Sequence, residues 1–223
     1  MSQTESLDRA ISTPTTSRSW WWFAAAALVV GHWPVAAAEA LLGDLDQVDD
    51  LAAIHESVGR VVAGGVLHLV GGLVVAATAV GVLQLVRRRG AALARAGAVL
   101  AVVCAVAAGG MAMFHLLLVE LAHPDLDRAA MTEFAELRLN EGAGWWALPV
   151  VLVLVTLPLS SGLLLGALVR ARLVGWWVLG LFVGALVVYT AVPGEPGEIG
   201  GHVLTAVAFT AAGVSVARAR SRG

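Results

Sequence analysis

The chain has 223 residues, of which 59% are hydrophobic and only 13% are charged. Its mean hydropathy is +0.84. A water-soluble domain of this length needs far more polar surface, so the apolar excess must face lipid. We therefore expect an integral membrane protein whose main partner is the lipid bilayer, and we expect no nucleic-acid partner.

Six continuous apolar runs are each long enough to cross a bilayer as a helix. They cover approximately residues 20–42, 61–86, 96–118, 145–169, 173–192 and 199–216. Barrel strands would alternate apolar and polar residues, which these runs do not. The sequence predicts an all-α polytopic protein, with a bundle of six transmembrane helices over 20–218. Residues 1–19, rich in Ser and Thr, are expected to form a disordered cytoplasmic tail, and 219–223 a short second tail.

The orientation of the bundle follows from arginine, because the chain contains no lysine. Arginines cluster before the first run, between the second and third, between the fourth and fifth, and after the sixth, whereas the other loops are mainly acidic. The positive-inside rule places both termini in the cytoplasm and the protein in the cell membrane. Residues 36–38, all alanine, resemble a signal-peptidase site whose cleavage would leave five spans, but the acidic Glu5 and Asp8 favour retention of the first span.

Two outer loops contain amphipathic patterns. Leu126, Ala130, Phe134 and Leu137 recur at three- or four-residue steps and predict a short helix over about 124–140. A weaker pattern predicts another over about 45–57. Such helices could roof a cavity, or they could anchor the protein at the membrane interface.

Four of the six histidines lie inside apolar runs, and all four fall in the outer half of the membrane: His32, His68, His115 and His202. Ionisable side chains are costly in hydrocarbon and normally face the bundle interior, so each is a candidate site residue. Helical rise places His32 and His68 about 12–15 Å deep and the other two about 6 Å deep. Antiparallel neighbouring helices would bring the deep pair together, whereas contact between the shallow pair requires the third and sixth helices to be neighbours.

Two carboxylates accompany these histidines. Glu39 lies seven residues after His32, on nearly the same helix face, and Glu198 lies four residues before His202. The sequence therefore predicts a one-sided site of histidines and carboxylates in the outer half of the bilayer.

The first hypothesis for this site is a b-type haem, with His32, His68, His115 and His202 as candidate axial ligands. The protein would then be a membrane oxidoreductase, an electron-transfer component or a haem-handling protein, with a redox partner or another membrane subunit at its outer face. Gly64, Gly65, Gly71, Gly72, Gly109 and Gly110 could provide room for the macrocycle, although close helix packing explains them equally. The single cysteine, Cys104, excludes an internal disulfide and covalent haem attachment through paired cysteines.

The second hypothesis is binding of Zn or Cu by the same four histidines with Glu39 and Glu198, for transport or for metal-dependent intramembrane hydrolysis. The inner half of the membrane lacks ionisable residues, which argues against full metal transport. The third hypothesis is a proton-coupled small-solute transporter, because histidine titrates near neutrality, or a non-catalytic subunit that docks a partner.

An intramembrane serine protease is a weaker hypothesis. Ser160 and Ser161 would need His202 as a base, but the serines lie about 22 Å below the outer end of their span, far from that histidine. In the same region, glycines 162 and 166, and 180 and 184, predict close helix packing.

Overall fold

The computed structural model describes residues 18–43, 45, 51–135 and 147–221. All the regular secondary structure of this part of the chain is helical. The helices are α1 (Arg18–Val30), α2 (Trp33–Leu42), α3 (Leu51–Glu56), α4 (Val58–Leu85), α5 (Ala91–Leu121), α6 (Arg128–Ala135), α7 (Ala147–Arg170), α8 (Trp176–Ala191) and α9 (Glu195–Ser221). The all-α prediction is confirmed for these residues, whereas most of the predicted tails lies outside them.

Five segments are long and apolar enough to cross a membrane: Ser19–Leu42, Val58–Leu85, Ala91–Leu121, Leu148–Arg170 and Glu195–Ser221. These segments indicate a multi-pass membrane protein in contact with lipid. The predicted fifth run corresponds to α8, which has 16 residues and is therefore about 24 Å long. Because a bilayer core is about 30 Å thick, a sixth span stays a prediction, as does the side of the membrane on which the termini lie.

The long helices form a closed ring. In order around this ring, each helix contacts the next: α4, α5, α7, α8 and α9. The helix α9 then packs against α1 and α2, and both of these contact α4, which closes the ring. Glycine permits the closure, because a Cβ on Gly213 of α9 would lie 2.7 Å from the carbonyl oxygen of Ala25 in α1. Leu28, Val82, Leu164 and Phe209 belong to the apolar core inside the ring.

The first apolar segment is not one continuous helix, because α1 ends at Val30 and α2 begins at Trp33. Gly31 has a φ of +32°, a conformation that favours glycine. Pro34 occupies the first turn of α2, and its ring nitrogen carries no hydrogen that could bond to the carbonyl of Val30. His32 therefore lies at a break in the middle of a membrane-length segment.

Threonines from neighbouring helices bond to the backbone carbonyls beside this break. Thr78 of α4 donates its hydroxyl to the carbonyl oxygen of Ala27 at 3.0 Å. Thr210 of α9 donates to the carbonyl oxygen of Val29 at 3.2 Å and accepts a hydrogen bond from Trp33 Nε1 at 3.0 Å. A broken helix is tolerated inside a bundle when neighbouring hydroxyls bond to its freed backbone groups in this way.

The outer-loop helices are shorter than predicted where they are described. In the range 45–57 the described structure contains only α3, and in the range 124–140 it contains only α6. Residues 46–50 and 136–140 of these predicted ranges lie outside the described part. In α3, Leu51 and Ile54 are buried, and this helix packs on α5.

The paired glycines predicted to support helix packing differ in their surroundings. A Cβ on Gly162 would lie 3.2 Å from Phe182, whereas Gly180 and Gly184 have nothing within 4 Å. The packing prediction is therefore wrong for the second pair within the described chain.

Candidate intramembrane binding site

A cavity of about 300 Å³ lies inside the ring. Its polar lining residues are His32, Glu39, His68, Ser161, Tyr189, Glu198, His202 and Thr205. The remainder of its wall is mainly apolar, and it comes largely from α7 and α8. This volume is at the lower end of the range of small-molecule pockets. No described residue of α3 or α6 lines the cavity, so neither helix roofs it in the described structure.

Glu39 is the centre of the polar end of this cavity. Its Oε1 atom lies 3.1 Å from Nε2 of His68 and 3.9 Å from Nε2 of His202. These three side chains come from α2, α4 and α9, so the cluster depends on the closed ring. The side chain of Glu39 is 23% exposed, compared with 5% for His68 and 16% for His202. A carboxylate oxygen of one helix is thus close to imidazole nitrogens of two others, on a cavity wall that retains some access. We call these three residues the Glu39 cluster.

His115 lies behind this cluster and does not line the cavity. Its ring stacks on that of His68, with centroids 5.5 Å apart and planes 20° apart, and its Nδ1 is 2.8 Å from the carbonyl oxygen of Met111 in its own helix. A Cβ on Gly65 would lie 3.2 Å from the Cβ of His115, so glycine permits this close approach of α4 and α5. The structure therefore pairs a predicted deep histidine with a predicted shallow one. In the ring, α4 and the segment formed by α1 and α2 lie between α5, which carries His115, and α9, which carries His202.

His32 has different neighbours. Its Nε2 atom is 2.9 Å from Oγ of Ser161 in α7, and its ring meets that of Phe209 edge to face, with centroids 4.3 Å apart. His32 and Ser161 are each 1% exposed. This contact joins the break in the first segment to the middle of α7.

Sequence reasoning missed Ser161 because its depth was compared only with that of His202. Ser161 lies nine residues before the end of α7 at Arg170, about 14 Å from that end. This depth is close to the middle of the membrane, where the same arithmetic places His32. The depth of Ser161 in its span therefore matches that of His32, its partner in the structure, and not that of His202.

Two further polar residues line the cavity. Tyr189, the only tyrosine of the chain, meets the ring of His202 edge to face, with centroids 5.4 Å apart. Glu198 is exposed and lines the same cavity. Glu198 was predicted as a site residue and Tyr189 was not.

Three buried imidazole nitrogens have no hydrogen-bond partner among the described residues: Nδ1 of His32, Nδ1 of His68 and Nε2 of His115. Buried polar atoms in proteins are normally paired, and an unpaired one needs an explanation. Two of these three histidines line the cavity. The three nitrogens themselves have almost no accessible surface, so each is enclosed by the helices around it.

The histidines do not face one another across a space for a haem. The rings of His68 and His115 are stacked, and Nε2 of His32 and of His68 each lies against a side-chain oxygen. The glycines proposed as space for a macrocycle instead face neighbouring helices: a Cβ on Gly71 would lie 2.6 Å from Val35, and one on Gly72 would lie 2.7 Å from Ala108. This arrangement does not fit a haem held between two of these histidines.

Metal coordination also lacks a formed ligand set. Within the described ranges, no group of three or more His, Cys, Asp or Glu residues is arranged to hold a metal ion. In the Glu39 cluster, the carboxylate oxygen bonds to His68 directly. Zn and Cu binding therefore stays a prediction.

No family model, curated protein or solved structure matches the chain.

Proposed function

We propose that this protein is a membrane carrier that binds a small solute in the cavity and exchanges a proton through the Glu39 cluster. The observation that carries the proposal is the position of Glu39 Oε1, 3.1 Å from one imidazole nitrogen and 3.9 Å from another on the cavity wall. These residues come from three different helices, so a change in the helix arrangement would change their contacts.

The chemistry of the cluster suits proton exchange. An isolated carboxylate is costly within a membrane, and neighbouring imidazoles reduce that cost by hydrogen bonding or by carrying a positive charge. Carboxylate and imidazole side chains also form the proton relays of membrane pumps and transporters. The titratable groups around Glu39 are His68 and His202 in contact, His115 behind His68, and Glu198 and Tyr189 on the cavity wall.

The broken first segment also supports a carrier. Discontinuous helices near the middle of the membrane commonly form the binding sites of secondary transporters. Here the break places His32 on the cavity wall, beside the helix that contains Glu39. Beyond Ser161, α7 continues with fully buried Leu164 and Leu165, whereas Glu198 on the cavity wall is exposed. This difference in burial along the cavity fits a carrier that opens to one side at a time.

Proton-linked binding is tested by calorimetry on the full chain in lipid nanodiscs. Three matched probes are titrated: 2-phenylethylamine, 2-phenylethanol and 3-phenylpropionate. Each is measured in two buffers of different protonation enthalpy, because the difference in observed heat gives the protons exchanged for each molecule bound. We expect at least one probe to bind with proton exchange.

The matched variants are Glu39→Gln, which keeps the shape of the side chain but cannot ionise, and Glu120→Gln, an exposed control outside the cavity. Proton exchange should be lost in the first variant and kept in the second. The bound probe, in labelled form, is then followed into proteoliposomes, with Glu39→Gln proteoliposomes measuring passive permeation. Binding without proton exchange, or an uptake rate equal to that of the variant, would contradict the proposal.

Haem and metal binding are competing hypotheses that the same purified protein tests. We expect neither a Soret band nor stoichiometric Zn or Cu, because the histidine nitrogens already bond to Glu39 and Ser161. The measurements are an absorption spectrum and elemental analysis. A Soret band that is lost in His68→Ala, or one equivalent of Zn or Cu, would overturn the proposal in favour of a cofactor site.

A further inference from the structure

We infer that the solute is an amphiphilic organic cation, a protonated amine on a small apolar body, that binds with its ammonium group at Glu39 and its body against α7 and α8. This inference rests on the proposed function and names the class of molecule that the same cavity would take. Three features carry it: the charges of the lining, its hydrogen-bonding groups and its apolar wall.

The charge of the lining favours a cation. Two carboxylates, Glu39 and Glu198, line the cavity, and no arginine does. Arg60 follows α2 along the chain and donates its Nε hydrogen to the carbonyl oxygen of Leu41 at 3.0 Å. It does not line the cavity. Once the cluster has released its proton, with neutral imidazoles and an ionised Glu39, the lining is negative, and an ammonium group would neutralise part of that charge inside the membrane.

The hydrogen-bonding groups favour a ligand that donates. An ionised carboxylate only accepts hydrogen bonds, so its contact with His68 requires the imidazole proton on Nε2. The carboxylate has further lone pairs that this bond does not use. A primary ammonium group has three donors and no acceptor, which suits the remaining lone pairs of Glu39 on the cavity wall.

The remainder of the wall suits an apolar body. Val150, Val153, Leu154 and Leu157 of α7 and Phe182 and Leu186 of α8 line the cavity. The cavity volume of about 300 Å³ limits this body to a small one. Beside the Glu39 cluster, the ring of Tyr189 offers a face on which a cation binds favourably.

The test compares affinities of the same three probes, together with N,N,N-trimethyl-2-phenylethylammonium, for the full chain in nanodiscs. The primary ammonium should bind about tenfold more tightly than the neutral alcohol, since a hydrogen bond to a charged group contributes that order of affinity. The carboxylate should bind most weakly. The trimethylated cation, which has no N–H donor, should bind more weakly than the primary one.

Two variants assign the selectivity to residues. Glu39→Gln should reduce the preference for the ammonium over the alcohol, whereas Glu120→Gln should keep it. Val150→Trp should weaken all probes alike by filling the apolar wall, and circular dichroism checks that each variant is folded. Equal affinity of the two cations would overturn the role of the donors, and a preference retained in folded Glu39→Gln would overturn the role of Glu39.

The remaining outcomes separate this inference from the proposed function. If the alcohol or the carboxylate binds as tightly as the ammonium and exchanges a proton through Glu39, the carrier proposal stands. The inference that the solute is a cation is then overturned. If no probe binds with proton exchange, the carrier proposal itself is overturned together with the cation.

Discussion

Two histidines in this bundle make similar contacts in different surroundings. His68 lies 3.1 Å from a carboxylate oxygen of Glu39, and His32 lies 2.9 Å from the hydroxyl of Ser161. Both histidines are buried, and both contacts join separate helices. The partner of His68 is an acid that also approaches His202 and is 23% exposed, whereas the partner of His32 is a neutral hydroxyl that is 1% exposed.

Burial alone therefore does not identify a functional histidine in a membrane. An imidazole beside an accessible carboxylate can exchange a proton with a ligand or with water. An imidazole that bonds to a buried, neutral hydroxyl instead fixes two helices relative to each other, as polar side chains often do in bundles. We therefore assign exchange to the Glu39 cluster and positioning to the contact between His32 and Ser161. Three variants test this comparison.

The largest effect is expected for Glu39. Replacing it with Gln removes the charge but keeps the size of the side chain, and should weaken 2-phenylethylammonium by about 10- to 100-fold, the worth of a hydrogen bond between charged groups. Glu39→Asp should restore part of this affinity because it keeps the carboxylate. Both are measured by calorimetry in nanodiscs. Equal affinities of Glu39→Gln and wild type would end the assignment of exchange to this cluster.

A smaller effect, on stability, is expected for Ser161. Ser161→Ala leaves Nε2 of His32 without its partner and should lower the free energy of unfolding by about 1–2 kcal/mol. The control is Ser160→Ala, because the hydroxyl of Ser160 bonds only to the Leu157 carbonyl of its own helix in the described structure and its loss should cost less. Unfolding in mixed micelles measures both. A Ser161→Ala protein of normal stability that no longer exchanges protons would place His32 among the exchanging groups.

The smallest effect is expected for His202. Its contact with Glu39 is 3.9 Å, longer than that of His68, so His202→Gln should weaken 2-phenylethylammonium only about threefold, the size of an average polar contact between membrane helices. Proton release should persist and shift in its pH midpoint. Calorimetry over a series of pH values measures both quantities. A loss as large as that of Glu39→Gln would show that His202 contributes as much to binding as Glu39, against the order expected from the distances.

The sequence predicted the helical class and the apolar segments because both depend on composition and run length. It also predicted that Glu39 accompanies the histidines, because seven residues along a helix return to nearly the same face. That expectation depends only on the period of one helix. The pairing of His68 with His115 depends instead on the distance between α4 and α5, which Gly65 allows to be short. The spacing of residues along one helix does not predict the distance between two helices.

The break in the first segment lies within a run whose length and hydropathy predict one continuous span. Gly31 and Pro34 are residue types that can interrupt a helix, but run length does not show that they do so here. The hydroxyls that bond to the freed carbonyls, Thr78 and Thr210, lie far along the chain. Their role follows from the closed ring, which a single sequence does not specify.

The break has a consequence for mutagenesis. At Gly31 and His32 the carbonyl end of α1 meets the amide end of α2, and each helix end carries a partial charge of about half a unit. The backbone thus places electric poles about half-way along an apolar segment whose side chains bear no formal charge from Trp20 to Ala38. A scan that replaces side chains one at a time with alanine leaves most of these poles in place, and only a change that rejoins the two helices, centred on Gly31 and Pro34, would remove them.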